Sequence, residues 1–167
     1  MTVVRATRYL LSIVLIALLA GCGFQLRGHA TLPFSTFYIP PTGGLLVELR
    51  RNVAAGTQTK LVPDAKQAEA VFTLLHEIRE KVILSLDTNG RVREFQLRYR
   101  VGFQVADLKG GMYIEPSEIF LTRDVSFNDT QILAKESEES LLYRDMQSDI
   151  VQQMVRRIAA SKLRPTD

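Results

Sequence analysis

The sequence feature that most constrains the fold is an unbroken alternation of apolar and polar positions over residues 95–105. The odd positions of this segment are all apolar: Phe95, Leu97, Tyr99, Val101, Phe103 and Val105. Successive side chains of a β-strand point to opposite faces, so the segment predicts a strand with one covered and one wet face. A slip of one residue would expose the whole apolar set, so we expect the odd-numbered side chains to pack under helices.

Two more long strands are predicted on either side of this one. Residues 72–86 place apolar side chains and His76 at even positions, as in one strand with one apolar face. Asn89-Gly90 then predicts a tight hairpin, because both residues tolerate the positive φ of a type I′ turn. Residues 113–127 place apolar side chains at odd positions, and Pro116 predicts that this third strand is an edge strand or is interrupted.

The rest of the chain predicts one short strand and two helices. Residues 36–39 form the short strand, residues 45–53 carry apolar side chains at helical spacing, and residues 57–68 are predicted to be a loop. Residues 136–163 predict a long helix with an apolar position every fourth residue. The order β-α-β-β-β-α predicts an α+β fold, a two-layer sandwich in which two helices cover a four-stranded, largely antiparallel sheet.

The N-terminus predicts a lipoprotein signal. Arg5 and Arg8 precede an apolar run at residues 9–18, and Leu-Ala-Gly then leads to Cys22, the only cysteine of the chain. The run is shorter than the roughly 20 residues of a membrane-spanning helix. We therefore predict a signal peptide at residues 1–21, a lipidated tether at residues 22–33 beginning at Cys22, and a single domain at residues 34–164.

The predicted lipid anchor and the net charge limit the possible functions. Gly23, rather than aspartate, follows the lipidated cysteine, which favours the outer membrane with the body of the protein in the periplasm. Removing Arg5 and Arg8 lowers the count of Lys and Arg from 21 to 19 against 18 acidic residues, which leaves a charge near +1. A nearly neutral domain lacks the basic footprint of nucleic-acid binding.

The sequence offers little catalytic chemistry. The two histidines, His29 and His76, have no metal-ligand spacing, and no motif predicts a cofactor or a nucleophile. Glu136, Glu138 and Glu139 fit the solvated start of a helix better than paired catalytic acids. We therefore expect a protein that is not an enzyme.

Several segments together resemble the LptE family of lipopolysaccharide-assembly lipoproteins. The heptad Cys-Gly-Phe-Gln-Leu-Arg-Gly at residues 22–28 is similar to the start of the mature family proteins. Asn-Gly leading into Glu-Phe at residues 89–95, the segment 121–127, and Leu-Ala-Lys-Glu at residues 133–136 before the long helix add further similarity. The resemblance spans the mature chain and agrees with two helices on a four-stranded sheet.

The resemblance implies a protein that lies inside an LptD-like outer-membrane β-barrel, plugs it, assists its assembly and contacts lipopolysaccharide. Lipid A carries phosphates, which arginine can hold with two parallel hydrogen bonds. Arg91 and Arg93 follow the hairpin turn, and Lys135 matches the family's Leu-Ala-Lys position, so these three residues are the predicted lipopolysaccharide contacts.

Two other functions remain open at this point. The chain could be a generic periplasmic lipoprotein adaptor of an envelope lipid-transport complex, without a barrel partner, or a small envelope hydrolase. Arg91 and Arg93, with Arg98 and Arg100, could also be no more than the solvated turn and wet face of a strand.

Overall fold

Three long antiparallel strands carry the architecture of the protein. The computed structural model describes residues 30–127 and 132–164. Its elements are β1 (Thr36–Tyr38), α1 (Gly44–Gly56), β2 (Lys60–Leu61), a 3-10 turn (Ala65–Gln67), β3 (Ala70–Leu86), β4 (Val92–Ala106), β5 (Met112–Ser126) and α2 (Ile132–Ala159). The α+β architecture with a sheet and two helices is therefore confirmed.

The sheet has five strands in the order β2-β1-β3-β4-β5, one more than predicted. The additional strand, β2, lies in the segment predicted to be a loop, and it pairs in parallel with β1 over two residues. β1 also runs parallel to β3, whereas β3, β4 and β5 are antiparallel neighbours. A two-residue strand has no periodicity of its own, so only its pairing with β1 defines it.

The core lies between the sheet and the two helices, and β4 supplies its centre. The predicted orientation of β4 is confirmed: its odd-numbered side chains from Leu97 to Val105 are fully buried. They pack against buried side chains of both helices, namely Leu45, Leu49 and Val53 of α1 and Met146, Ile150, Val151, Met154 and Ile158 of α2. Burying a side chain of this size contributes about 1.5–3 kcal/mol, so this layer dominates the stability of the fold.

β3 departs from its predicted single apolar face because of a bulge at Leu75. The register with β4 shifts between Leu74 and His76, which exchanges the two faces for residues 76–83, up to the next register shift after Ile83. Phe72 is buried on the helix side before the bulge, whereas Ile78 is exposed beyond it. Lys81 instead pairs with Leu97 on the helix side. The even-parity prediction is therefore wrong from Leu75 to Ile83.

The two ends of the sheet differ in what covers them. The β4–β5 turn lies beside residues 160–164, the segment that follows α2. This segment returns to β5, and the backbones of Met112 and Arg164 exchange two hydrogen bonds of 2.9 Å. The predicted helix therefore ends earlier, at Ala159, and begins earlier, at Ile132. At the opposite end lie the β3–β4 turn, the end of β5 and the first turns of α2. We call this opposite end the distal end.

Two predicted features of the chain fall outside the described residues. These are the signal peptide with Cys22, and His29 of the tether. No helix within residues 30–127 and 132–164 combines the length and the apolar content that crossing a membrane requires.

Candidate functional site

The β3–β4 turn at residues 87–91 is built around one carboxylate. Oδ1 of Asp87 accepts hydrogen bonds from the backbone N–H groups of Asn89 (2.8 Å) and Arg91 (2.9 Å). The Gly90 N–H donates to the Asp87 carbonyl at 3.0 Å, and Gly90 has φ +76°. Because Asn89 does not adopt positive φ, the predicted type I′ turn is wrong. The aspartate side chain supplies the turn instead.

Arg91 and Arg93 leave this turn at the start of β4, and both side chains are exposed. Within the described part of the chain, neither guanidinium group has an ion pair or a side-chain hydrogen bond. The nearby acids have other partners: Asp87 is engaged in the turn, and Glu94 accepts from the Ser85 hydroxyl at 2.5 Å. The two guanidinium groups are therefore available to an anion from outside the molecule.

Lys135 lies at the same end but in a different environment. Its Nζ donates to the Glu138 carboxylate at 2.7 Å and to the Ser126 hydroxyl at 3.2 Å, and its side chain is 18% exposed. The ion pair joins residues three apart on one helix, which is a common spacing for such pairs. Lys135 is therefore less accessible than the two arginines, and Glu138 already offsets part of its charge.

Strand pairing brings the three predicted residues together. Ser126, which contacts Lys135, pairs with Glu94 in the sheet register, and the Phe127 N–H donates to the Arg93 carbonyl at 2.8 Å. The start of α2 therefore lies beside the two strand ends that carry Arg93 and Ser126. Residue 135 is more than 40 positions from residues 91 and 93, but the structure places all three at one end of the sheet.

Lys81 is a fourth cation at the distal end that the sequence interpretation missed. Its Nζ lies 4.3 Å from the centre of the Phe95 ring and 2.6 Å from the Glu139 carboxylate, and Phe95 packs edge-on against Phe127. The ammonium and the ring attract one another electrostatically. The bulge at Leu75 puts Lys81 on this face, and the Leu74-Leu75 doublet, which interrupts the alternation, was the only sequence signal for it.

Three large apolar side chains of β3 are also exposed at the distal end. Ile83, Leu84 and Leu86 are 58%, 45% and 55% exposed. A second register shift, between Ile83 and Ser85, interrupts the ladder at this point. We call these three residues the apolar tip. Together with Arg91, Arg93 and Lys135, the apolar tip forms a surface that is both apolar and cationic.

A polar network on the helix side of β3 links the sheet to both helices. The Tyr99 hydroxyl donates to Glu77 at 2.6 Å and accepts from Arg79 at 2.8 Å. Arg79 also donates to Gln147 of α2, whose amide donates to Glu48 of α1. Burial raises the pKa of Tyr99 well above its ordinary value, and the bond to the Glu77 carboxylate raises it further. The hydroxyl therefore remains a donor, and the network holds the helices in place.

His76 has a structural environment rather than a ligand set. Its Nε2 lies 3.0 Å from a carboxylate oxygen of Glu118, and its ring lies over Gly102, where a Cβ would come within 2.3 Å of the ring. Within residues 30–127 and 132–164, no group of three His, Cys, Asp or Glu side chains has the arrangement of a metal site.

Comparison with known proteins adds a family assignment to this geometry. A family model described as LptE, lipopolysaccharide-assembly, matches residues 34–158. A Yersinia pestis protein named LPS-assembly lipoprotein LptE is 30% identical over 145 residues, which cover 83% of this chain and 69% of that protein. A Pectobacterium atrosepticum protein with the same name is 28% identical, and the match covers 83% of this chain and 77% of that protein.

Solved structures of similar proteins have the same fold. A solution NMR structure of lipoprotein B from Nitrosomonas europaea is 45% identical with a TM-score of 0.72, and the match covers 83% of this chain and 91% of that one. A crystal structure of the rare lipoprotein B from Shewanella oneidensis is 27% identical with a TM-score of 0.63, covering 75% and 92% of the two chains.

Proposed function

This chain belongs to the LptE family of lipopolysaccharide-assembly lipoproteins, and from that premise we propose that it plugs an LptD-like outer-membrane barrel and contacts lipopolysaccharide at its distal end. Family membership gives the chain a role in lipopolysaccharide assembly at the cell envelope, and this role is not enzymatic. We propose three further features: the barrel partner, a position of this chain inside the barrel lumen, and the residues that contact lipopolysaccharide.

The observation that carries the lipopolysaccharide contact is the arrangement of charge at the distal end. Arg91 and Arg93 are exposed two residues apart, where the chain leaves the β3–β4 turn, without an anionic partner among the described residues, and Lys135 lies beside the neighbouring strand. A guanidinium group can hold a phosphate with two parallel N–H···O bonds, whereas an ammonium group acts as a point charge. We therefore assign direct phosphate contact to the arginines and a supporting charge to Lys135.

The open face of the sheet supports a position inside a barrel. The face turned away from the helices carries polar pairs across its strands, including Gln96 with Asp124 at 3.0 Å and Arg100 with Glu118 at 3.7 Å. The interior of a transmembrane barrel is polar, so a body that fills it must present charged and hydrogen-bonding side chains. The exposed apolar side chains of this face, such as Ile78 and Phe120, lie among these polar groups.

The proposed anchor is the lipid on Cys22, which would hold the protein at the outer membrane with its body on the periplasmic side. Labelled palmitate should enter the wild-type chain and not the Cys22→Ala variant. Incorporation into the variant would exclude Cys22 as the site of the lipid.

The experiment that tests the barrel partner is purification of the tagged chain from outer membranes. We expect one large β-barrel protein to accompany it, and depletion of the chain to lower both the assembled barrel and the surface lipopolysaccharide. If no barrel accompanies the chain, and barrel assembly and surface lipopolysaccharide are normal after depletion, the proposal fails in favour of a generic envelope adaptor.

A further inference from the structure

The apolar tip exposes three large hydrophobic side chains within four residues of β3: Ile83, Leu84 and Leu86. Single exposed hydrophobic residues are ordinary on protein surfaces, but a contiguous group of them marks a contact surface. The register shift between Ile83 and Ser85 leaves Leu84 without a partner in β4, and the described body of the protein leaves all three side chains largely uncovered.

The apolar tip adjoins the cations. Leu86 pairs across the hairpin with Val92, the residue after Arg91, and Ile83 pairs with Phe95, which is two residues beyond Arg93. Two residues of a strand span about 7 Å. The side chains of the apolar tip therefore lie close enough to Arg91 and Arg93 for one ligand to contact both.

We propose that the apolar tip seats acyl chains of the same molecule whose phosphates are held by Arg91, Arg93 and Lys135. This inference rests on the proposed lipopolysaccharide contact and extends it from the phosphorylated head to the hydrocarbon of lipid A. The ligand is an anionic amphiphile in which phosphate groups and acyl chains leave one sugar core.

Charge complementarity selects this ligand over simpler ones. An uncharged apolar partner that covered the tip would partly desolvate two guanidinium groups without supplying an anion, which is unfavourable. A small phosphate ligand would pair the arginines but leave the hydrophobic surface in water. An anionic amphiphile satisfies both groups, and acyl chains need no hydrogen bonds from the exposed edge of β3.

The Phe95–Phe127 pair extends the apolar surface under the cations. Lys81 lies over the Phe95 ring at 4.3 Å, and Ile83 is the strand neighbour of Phe95. The hydrocarbon surface therefore continues from the exposed tip toward the first turns of α2, where Lys135 lies. An acyl chain that follows this surface would keep the sugar phosphates near all three cations.

The test compares two soluble probes binding to the full-length chain held in phosphatidylcholine nanodiscs. One probe is the phosphorylated glucosamine disaccharide of lipid A without acyl chains, and the other is the same disaccharide with acyl chains short enough to stay monomeric. Empty nanodiscs measure the partitioning of the acylated probe into lipid. The variants are Ile83→Asn with Leu86→Asn, and Leu108→Asn, whose wild-type side chain is 57% exposed at the opposite end of the sheet.

We expect the Ile83→Asn and Leu86→Asn pair to weaken binding of the acylated probe about tenfold, which corresponds to about 1.4 kcal/mol. The same pair should bind the deacylated probe like the wild type, and Leu108→Asn should leave both affinities unchanged. Charge reversal at Arg91, Arg93 and Lys135 should weaken the binding of both probes.

Unchanged affinity of the acylated probe for the double variant would overturn the inference while leaving the phosphate contact intact. If the wild-type chain binds neither probe, the proposed lipopolysaccharide contact fails as well. If the double variant no longer associates with the barrel but still binds the acylated probe like the wild type, the apolar tip is a barrel contact and the inference is also overturned. If the double variant melts early, Leu86→Ser alone carries the same comparison with a smaller expected effect.

Discussion

The turn at residues 87–91 and the turn at residues 107–111 share one construction in different surroundings. In each, an aspartate oxygen accepts from the backbone N–H groups two and four residues later, and the fourth residue is a glycine with positive φ. The fifth residue differs. It is Arg91 in the first turn and Gly111 in the second.

The difference at the fifth position reflects what covers each turn. Gly111 is buried, and a Cβ there would come within 2.9 Å of Leu163 and 3.0 Å of the Asp107 carboxylate. Arg91 is exposed at the distal end, where no segment of the described chain covers it. The same turn therefore serves packing at one end of the sheet, while at the other it leaves room for a charged side chain. We infer that the distal end is the binding end.

The largest expected effect concerns the core from which both turns extend. Val101→Asp should lower the free energy of unfolding by about 3–5 kcal/mol, because it leaves an unpaired charge in a fully buried position. Arg100→Asp, on the open face of the same strand, should cost far less because its side chain is partly in water. Equal losses of stability in urea unfolding would contradict the assignment of the two faces.

The next largest effect is the difference in stability loss when each of the two turn aspartates is replaced by alanine. Asp107→Ala should destabilise the protein by about 2 kcal/mol, because it leaves the buried Gly111 N–H without its acceptor. Asp87→Ala should cost about half as much, since water can replace the lost bonds at an exposed turn. Thermal melting of the two variants measures the difference, and a larger loss for Asp87→Ala would reverse our description of the two ends.

The smallest effect comes from exchanging the fifth residues. Gly111→Ala should cost about 1 kcal/mol, because Leu163 and Asp107 must shift to admit the methyl group. Arg91→Gly should change the melting temperature little, since the arginine side chain makes no contact that holds the turn. A stabilised Gly111→Ala variant would mean that residues 160–164 do not press on this turn.

Much of the fold follows from sequence periodicity. The burial of β4, the two amphipathic helices and the element order all follow from regular spacing of apolar residues. The bulge at Leu75 does not, because in a Leu-Leu doublet either residue can take the inward position. β2 could not be predicted either, because a parallel pair of two residues is defined only by its neighbour.

Less of the candidate site could be predicted. The sequence and the family resemblance identify Arg91, Arg93 and Lys135, but only the register of β4 with β5 brings them to one end. The Asp87 carboxylate competes with the Asn-Gly preference for a type I′ turn, and the carboxylate prevails. The ion pair between Lys135 and Glu138 follows from their spacing, whereas the contact of Lys135 with Ser126 requires the folded chain.

The central claim is tested most directly by lipopolysaccharide binding to two charge-matched triple variants of the full-length chain. The first carries Arg91→Glu, Arg93→Glu and Lys135→Glu. The second carries Lys66→Glu, Lys109→Glu and Lys162→Glu, at exposed cations outside the distal end. We expect the first to lose affinity at least tenfold, and the loss to shrink as salt is raised, because the Debye length falls from about 8 Å at physiological ionic strength. The second should bind like the wild type, and equal affinities of the two variants would contradict a binding end.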